Sequence, residues 1–261
     1  MIEYFQRDAI GVLTINRPER RNALNAELCE EMRTQLSAIG SVIRVLVVTG
    51  SGEAFCAGAD LAQRQRDHGA PAHGGLDSGG KDTFRPSFDA LCDDLAALPV
   101  PVIAAVRGPA LGAGMQLAVA CDLRVASPEA VFGIPSGKLG VMLSPRNIVR
   151  MRQVMGASIA RAVLIGGELL DGTRSHQLGF VHRLDTDPLA AAMTWADAVA
   201  HLAPLSVGGH KAALNIADPL DLTEADMVTL KALETRAFAS DDLREGLTAF
   251  VEKRRPEFHG R

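Results

Sequence analysis

The stretch VPVIAAVRGPALGAGMQLAVACDLRVA, residues 100–126, decides how this chain is organised. Its first part is apolar and β-branched, with a strand expected over Val102 to Val106. Gly108 and Pro109 then lead into an alanine-rich segment with the pattern of a helix. The junction carries Gly112 and Gly114, and one turn into the helix stands a single polar side chain, the uncharged amide of Gln116. A further strand is expected near Leu123 to Ala126. A glycine-rich strand-to-helix turn exposes backbone N–H groups at the positive end of a helix dipole, which favours an anion or a developing oxyanion. Close packing of helix on strand would ask for the same glycines, so the turn alone leaves both readings open.

Nucleotide readings fit poorly. GAGMQL has Leu117 where a dinucleotide fingerprint needs its third glycine, and it lacks the Lys-Ser/Thr ending of a phosphate-binding P-loop. Working upstream, FCAGADL (residues 55–61) has the same character: small residues and then a helix start, with Asp60 in its first turn. Two such turns, each aiming one N–H into a shared pocket, make a two-donor oxyanion hole, and only alanine or glycine leaves room there for a carbonyl.

The flanks read as alternating strands and helices. Ala9 to Asn16 alternates as a strand, and Asn25 is placed to cap a helix whose apolar face is Leu28, Met32, Leu36 and Ile39. Arg44 to Thr49 reads as a buried strand and Ser87 to Leu98 as a helix. The polar, glycine-rich segment between them holds Asp67, His68 and His73. From Pro145 the chain is mostly helical, interrupted by a strand at Phe180 to Leu184. From His201 onward it is helical and amphipathic. The class is therefore α/β, with residues 1–200 as a core and residues 201–261 as a C-terminal helical region. No sequence repeat of fixed period is visible.

Composition narrows the partners. A net charge of −4, scattered basic residues and 4% aromatics argue against a nucleic-acid or anionic-membrane partner. The four cysteines, Cys29, Cys56, Cys92 and Cys121, have no paired spacing, so free thiols are expected rather than disulfides or a zinc site. With no signal-peptide pattern and no apolar run near the ~18 residues of a membrane helix, a cytoplasmic protein is expected.

NRPERRNALN (16–25), TGSGEAFCAGADL (49–61), GPALGAGMQLAVACDLRVA (108–126) and AFVEKRRPEF (249–258) together resemble the enoyl-CoA hydratase/isomerase (crotonase) superfamily. The resemblance covers essentially the whole chain. It implies a crotonase-like spiral of ββα turns closed by C-terminal helices that trimerise, as a homotrimer or a dimer of trimers. It also implies a fatty acyl-CoA or other coenzyme A thioester as ligand, with no further cofactor and no metal. The thioester carbonyl would lie between the N–H groups of Ala59 and Ala113. Ala57, Asp60, Leu61 and Gly112 surround that point in the motif. Arg20, Arg21 and Ala23 match a loop that contacts the CoA nucleotide, although a solvated loop is the plainer reading of the two arginines. Phe250 and Lys253 match an aromatic and a lysine that approach the adenine end, often from a neighbouring subunit.

One departure from the family is pointed. Hydratases carry two glutamates that bracket the substrate double bond; by motif position these fall at Gln116 and, in VFGIPSGKLG (131–140), at Ser136. An aspartate found in some isomerases falls at Ser144. Hydration needs one group to take a proton from water and another to protonate the α-carbon, and neither an amide nor an unassisted hydroxyl does so near neutral pH. Each acid–base contribution is typically about 10² to 10⁴ in rate. Three functions therefore stand open. One is an acyl-CoA-binding protein of fatty-acid metabolism, working beside that pathway's enzymes with little hydratase activity. Another is an active CoA-ester enzyme with a non-standard acid–base group. The third is an oligomeric scaffold with a relic pocket. Gln116 itself reads either as a ligand-holding amide or as a tolerated polar residue of the pocket wall. Asp60 reads as a residue that caps or packs its helix, and the loop histidines as solvated.

Overall fold

A computed structural model describes residues 1–39, 43–61, 83–138, 141–216, 224–252, 254 and 256–261. Strands β1 (Ile2–Arg7) and β2 (Ile10–Ile15) form an antiparallel hairpin, turning through Asp8 at positive φ. The sequence pattern gave only the second strand. IEYFQR buries little beyond Ile2 and leaves Phe5 62% exposed, so no inward-facing row of apolar residues marks it. Pairing in the register Ile2↔Ile15 to Arg7↔Ile10 makes it a strand.

Helix α1 (Ala26–Ala38) begins where expected, the Asn25 side-chain oxygen accepting the Leu28 N–H at 2.8 Å. It buries Leu28, Cys29, Met32 and Leu36. Strand β3 (Val45–Gly50) follows, and then helix α2 (Phe84–Ala97), which starts three residues before the expected Ser87. Pro86 is compatible with that earlier start, since a first-turn residue has no use for its missing N–H. Strand β4 (Val102–Val106) runs parallel to β3. Beyond it come β5 (Pro109–Leu111), α3 (Ala113–Ala120), β6 (Leu123–Ala126) and β7 (Val131–Gly133). A 3-10 turn (Pro135–Lys138) and α4 (Pro145–Leu164) follow, the helix breaking at Gly156, whose φ is 77°. The described chain closes with β8 (Leu170–Asp171), α5 (Gly172–Gln177), β9 (Arg183–Leu184), α6 (Pro188–Ala200), α7 (Pro204–Ile216), α8 (Glu224–Phe238) and α9 (Asp241–Glu252).

The main sheet has the order β1-β2-β3-β4-β6-β9 and is parallel except for the first hairpin; a smaller sheet has the order β5-β7-β8. Burial on both faces accounts for the unbroken apolar strands. Along β3 and β4, Leu46, Val48, Val102, Ala104 and Val106 join the large core that includes α1, α2 and α3. Val45, Val47, Ile103 and Ala105 point the other way, onto Ala192 and Ala196 of α6.

The strand expected over Phe180 to Leu184 shrinks to Arg183–Leu184. Phe180 instead turns into the core, its ring edge-on to Phe132 and its carbonyl accepting from Arg124. The Arg124 guanidinium, 3% exposed, also donates to Ala118 O at 3.1 Å and Cys121 O at 2.7 Å, the carbonyls that end α3. Burial pulls its pKa down to about 10, so it stays a cation near neutral pH and complements the negative end of that helix. Lys211 of α7 does similar work elsewhere, pairing with Asp122 at 2.8 Å and donating to Leu95 O and Val100 O. All four cysteines are free and buried. Burial pushes the thiols of Cys29, Cys56 and Cys121 up to about 12 and that of Cys92 well above its usual value, which leaves them protonated and unreactive.

Candidate functional site

The two small-residue turns lie side by side. Cys56 N–H donates to Pro109 O, and Leu111 N–H returns a bond to Cys56 O, both at 3.0 Å, so residues 56–59 run beside β5 and the start of α3. Contact is close enough to forbid side chains. A Cβ on Gly114 would fall 2.0 Å from Cys56 O, and one on Gly58 would fall 3.0 Å from Leu111 O and 3.8 Å from Ala113 N. Gly112, at φ 55° and ψ −113°, holds a backbone conformation that an L side chain resists, and its N–H donates to Gly133 O at 2.8 Å. Neither Ala59 N–H nor Ala113 N–H donates to a partner among the described residues. Ala113 is buried, and Ala57 and Ala59 are half-buried.

A third segment completes the arrangement. Leu24 N–H donates to Gly58 O at 2.8 Å, Asp60 N–H to Leu24 O at 2.7 Å, and Ala57 N–H to Arg21 O at 2.9 Å. The loop 17–24 is therefore stitched to the turn that carries Ala59. Side chains hold the stitch. Arg17 Nη1 meets the Asp60 carboxylate at 2.8 Å, with the two side chains 11% and 4% exposed, and also donates to Ala23 O. Asn22, fully buried, accepts Arg17 N–H and donates to Ser51 O and Ala54 O. Arg21 and Asn22 both take positive φ, which swings Arg20 and Arg21 outward into solvent. Asp60 thus serves as the partner of a buried cation, Arg17.

Gln116, Ser136 and Ser144 are held in three different ways. Gln116 is half-buried and turns its amide back, Nε2 donating to Gly112 O at 3.3 Å. Ser136 is half-buried in the 3-10 turn, its carbonyl accepting from Val141 N–H. Ser144 caps α4 and donates to Asp89 Oδ1 at 3.0 Å, an oxygen that also accepts from Asn147 at 2.7 Å. Leu61 is 38% exposed. Arg146 pairs with Asp93. Phe250 falls within α9, while Asp67, His68, His73 and Lys253 lie outside the described residues.

Sequence reading missed Arg17, Asn22 and Asp89. The first two stand inside the quoted NRPERRNALN motif, yet only the fold reveals that they face Asp60 and the strand end at Ser51. Nothing local marks Asp89, whose partners are 55 and 58 residues away.

Among the described residues no group of three or more His, Cys, Asp or Glu side chains is placed to hold a metal ion, and no helix is long and apolar enough to cross a membrane. The fold thus brings two small-residue turns side by side, with the Ala59 and Ala113 N–H groups without an acceptor among the described residues. The chain belongs to the enoyl-CoA hydratase/isomerase family, whose model matches residues 6–261. It is 38% identical over 265 residues to the probable enoyl-CoA hydratase echA6 of Mycobacterium tuberculosis, covering 100% of both chains. It is also 36% identical over 261 residues to the 2,3-dehydroadipyl-CoA hydratase of Escherichia coli, covering 98% of this chain and 97% of the other. Among solved structures, the enoyl-CoA hydratase of Polaromonas sp. JS666 matches with a TM-score of 0.88 at 28% identity, over 99% of each chain.

Proposed function

We propose that the protein binds fatty acyl-CoA thioesters in fatty-acid metabolism and has little or no hydratase activity. The observation that carries this reading is the pairing of the two turns: Ala59 N–H and Ala113 N–H lie on adjacent segments and have no acceptor among the described residues, while Gln116 and Ser136 supply no carboxylate beside them. Two backbone donors can hold and polarise a thioester oxygen without any titrating group. The CoA nucleotide lies on the loop of Arg20, Arg21 and Ala23, which is hydrogen-bonded to the Ala59 turn and so couples head-group and thioester binding. Phe250 and Lys253 approach the adenine end, and the C-terminal helices of residues 201–261 assemble the trimer or dimer of trimers.

The test is crotonyl-CoA hydration measured beside acyl-CoA binding in the wild type and in the double variant Gln116→Glu/Ser136→Glu. Tight binding with negligible turnover is expected in the wild type. The double variant should gain turnover, since one restored acid–base group is worth about 10² or more. A wild-type kcat like that of ordinary hydratases would overturn the carrier reading, and no stabilisation by any acyl-CoA would favour the scaffold.

One observation favours the alternative of an active enzyme. The Asp89 carboxylate is held by Ser144, at the position where some relatives carry an aspartate, so a carboxylate reaches that place from another helix. If it serves as the acid–base group, Asp89→Asn abolishes isomerase or hydratase turnover while acyl-CoA affinity stays as in the wild type.

A further inference from the structure

Gln116 contributes two donors to one acceptor. Its main-chain N–H lies 3.2 Å from Gly112 O, and its side-chain Nε2 reaches the same oxygen at 3.3 Å. That oxygen belongs to the peptide unit whose other end is the Ala113 N–H. A trans peptide is planar, so its C=O and N–H point in opposite directions and move as one body. Gly112 stands at positive φ with no Cβ, which makes rotation of this peptide plane easy. Its own N–H is fixed by Gly133 O, which leaves the orientation of the next peptide to whatever grips Gly112 O.

We infer that Gln116 is a positioning residue: by clamping Gly112 O with its amide it fixes and polarises the Gly112–Ala113 peptide, and so strengthens the Ala113 N–H as a donor to a thioester oxygen. This rests on the reading of Ala113 as an oxyanion donor. Donors on a carbonyl draw electron density away from the N–H of the same peptide, and hydrogen bonds in series strengthen one another by about 10–30% each. A carboxylate at this position has no N–H to offer. It would face Gly112 O as one acceptor facing another and turn away, free for acid–base chemistry. The amide and the acid therefore do different work here: one is tied to the frame, and the other is available to the substrate.

The experiment uses wild type, Gln116→Met and Gln116→Glu, with hexanoyl-CoA carrying a ¹³C thioester carbonyl, and CoA alone as control. Three quantities are read: the infrared band of the bound carbonyl, the ratio of hexanoyl-CoA to CoA affinity, and the amide proton shift of Ala113 without ligand. In the wild type the band should move to lower frequency on binding. Both variants should lose part of that movement and shift the Ala113 amide proton upfield. The affinity ratio should fall about three- to tenfold, the size of one net hydrogen bond, with the Kd of CoA unchanged. If either variant does not fold, the other carries the comparison. A band displaced equally in all three proteins, with an unmoved Ala113 shift, overturns the role of Gln116 while leaving the oxyanion reading intact. A wild-type band at its solution frequency overturns the oxyanion reading, and the positioning role with it.

Discussion

The two turns that bring Ala59 and Ala113 together are built on opposite plans. The Ala113 turn is held by backbone. β4 and β5 feed directly into α3, Gly114 packs its bare Cα against Cys56 O, and Arg124 closes the far end of the helix. The Ala59 turn has no regular structure of its own, only isolated bridges to Leu24 and Ala110 from the residues around it. Its shape depends on polar side chains from a distant loop, with the Arg17–Asp60 pair and Asn22 replacing the ladders that a strand would supply. A turn packed backbone against backbone is most sensitive to added volume, and a turn held by buried polar side chains is most sensitive to losing one of them.

The largest effect should come from the second plan. Without Asp60 the buried Arg17 keeps only the solvent-exposed Glu19 at 3.8 Å, and breaking a buried ion pair costs about 3–5 kcal/mol. Asp60→Ala should therefore lower the unfolding free energy by that amount in urea titrations and weaken acyl-CoA binding with it. The double variant Arg17→Met/Asp60→Leu should recover much of the stability, since no charge is left unpaired. A single variant as stable as the wild type would mean that the Ala59 turn, too, is held by its backbone.

Next in size is the first plan's weakness. In Gly114→Ala the new methyl must push Cys56 O from 2.0 Å to ordinary contact, prising the two turns apart. Overpacking of this kind costs about 1–3 kcal/mol. Acyl-CoA affinity should fall more than CoA affinity, read by calorimetry with each ligand. Equal losses for both ligands would show that the turns open without disturbing the thioester position.

The smallest effect lies behind α3. His182 Nδ1 accepts the Arg124 main-chain N–H at 3.1 Å, and partial desolvation of its ring together with the nearby Arg124 charge pulls its pKa down to about 4, from an ordinary 6.5. The unfolded chain then takes up a proton before the folded one does, so stability falls as pH drops from 6.5 towards 4. His182→Asn keeps an acceptor that does not titrate. The difference between its melting temperature and that of the wild type should change over this window and be flat above it, with acyl-CoA affinity at neutral pH unaltered.

Much of the frame was legible locally. The Asn25 cap, the buried face of α1, the strand over Val102 to Val106 and the glycine junction at 108–114 all follow from periodicity and backbone sterics. Those are properties of neighbours in sequence. β1 was not legible, because an edge strand with one buried residue carries no inward-facing pattern, and the Phe180 segment was misjudged because its apolar run fills core rather than sheet.

The sequence by itself determined that two small-residue turns exist, that residues 116 and 136 are an amide and a hydroxyl with no carboxylate, and that the chain has the ordered motifs of its family. Only the tertiary structure decided that Asp60 serves Arg17, that Asp89 reaches Ser144, and that the Gln116 amide folds back on Gly112 O. The physical reason is range. Steric and helical preferences act over a few residues and are written in the local pattern. The partner of a buried charge or amide is fixed by which segments the fold brings within about 3 Å of it.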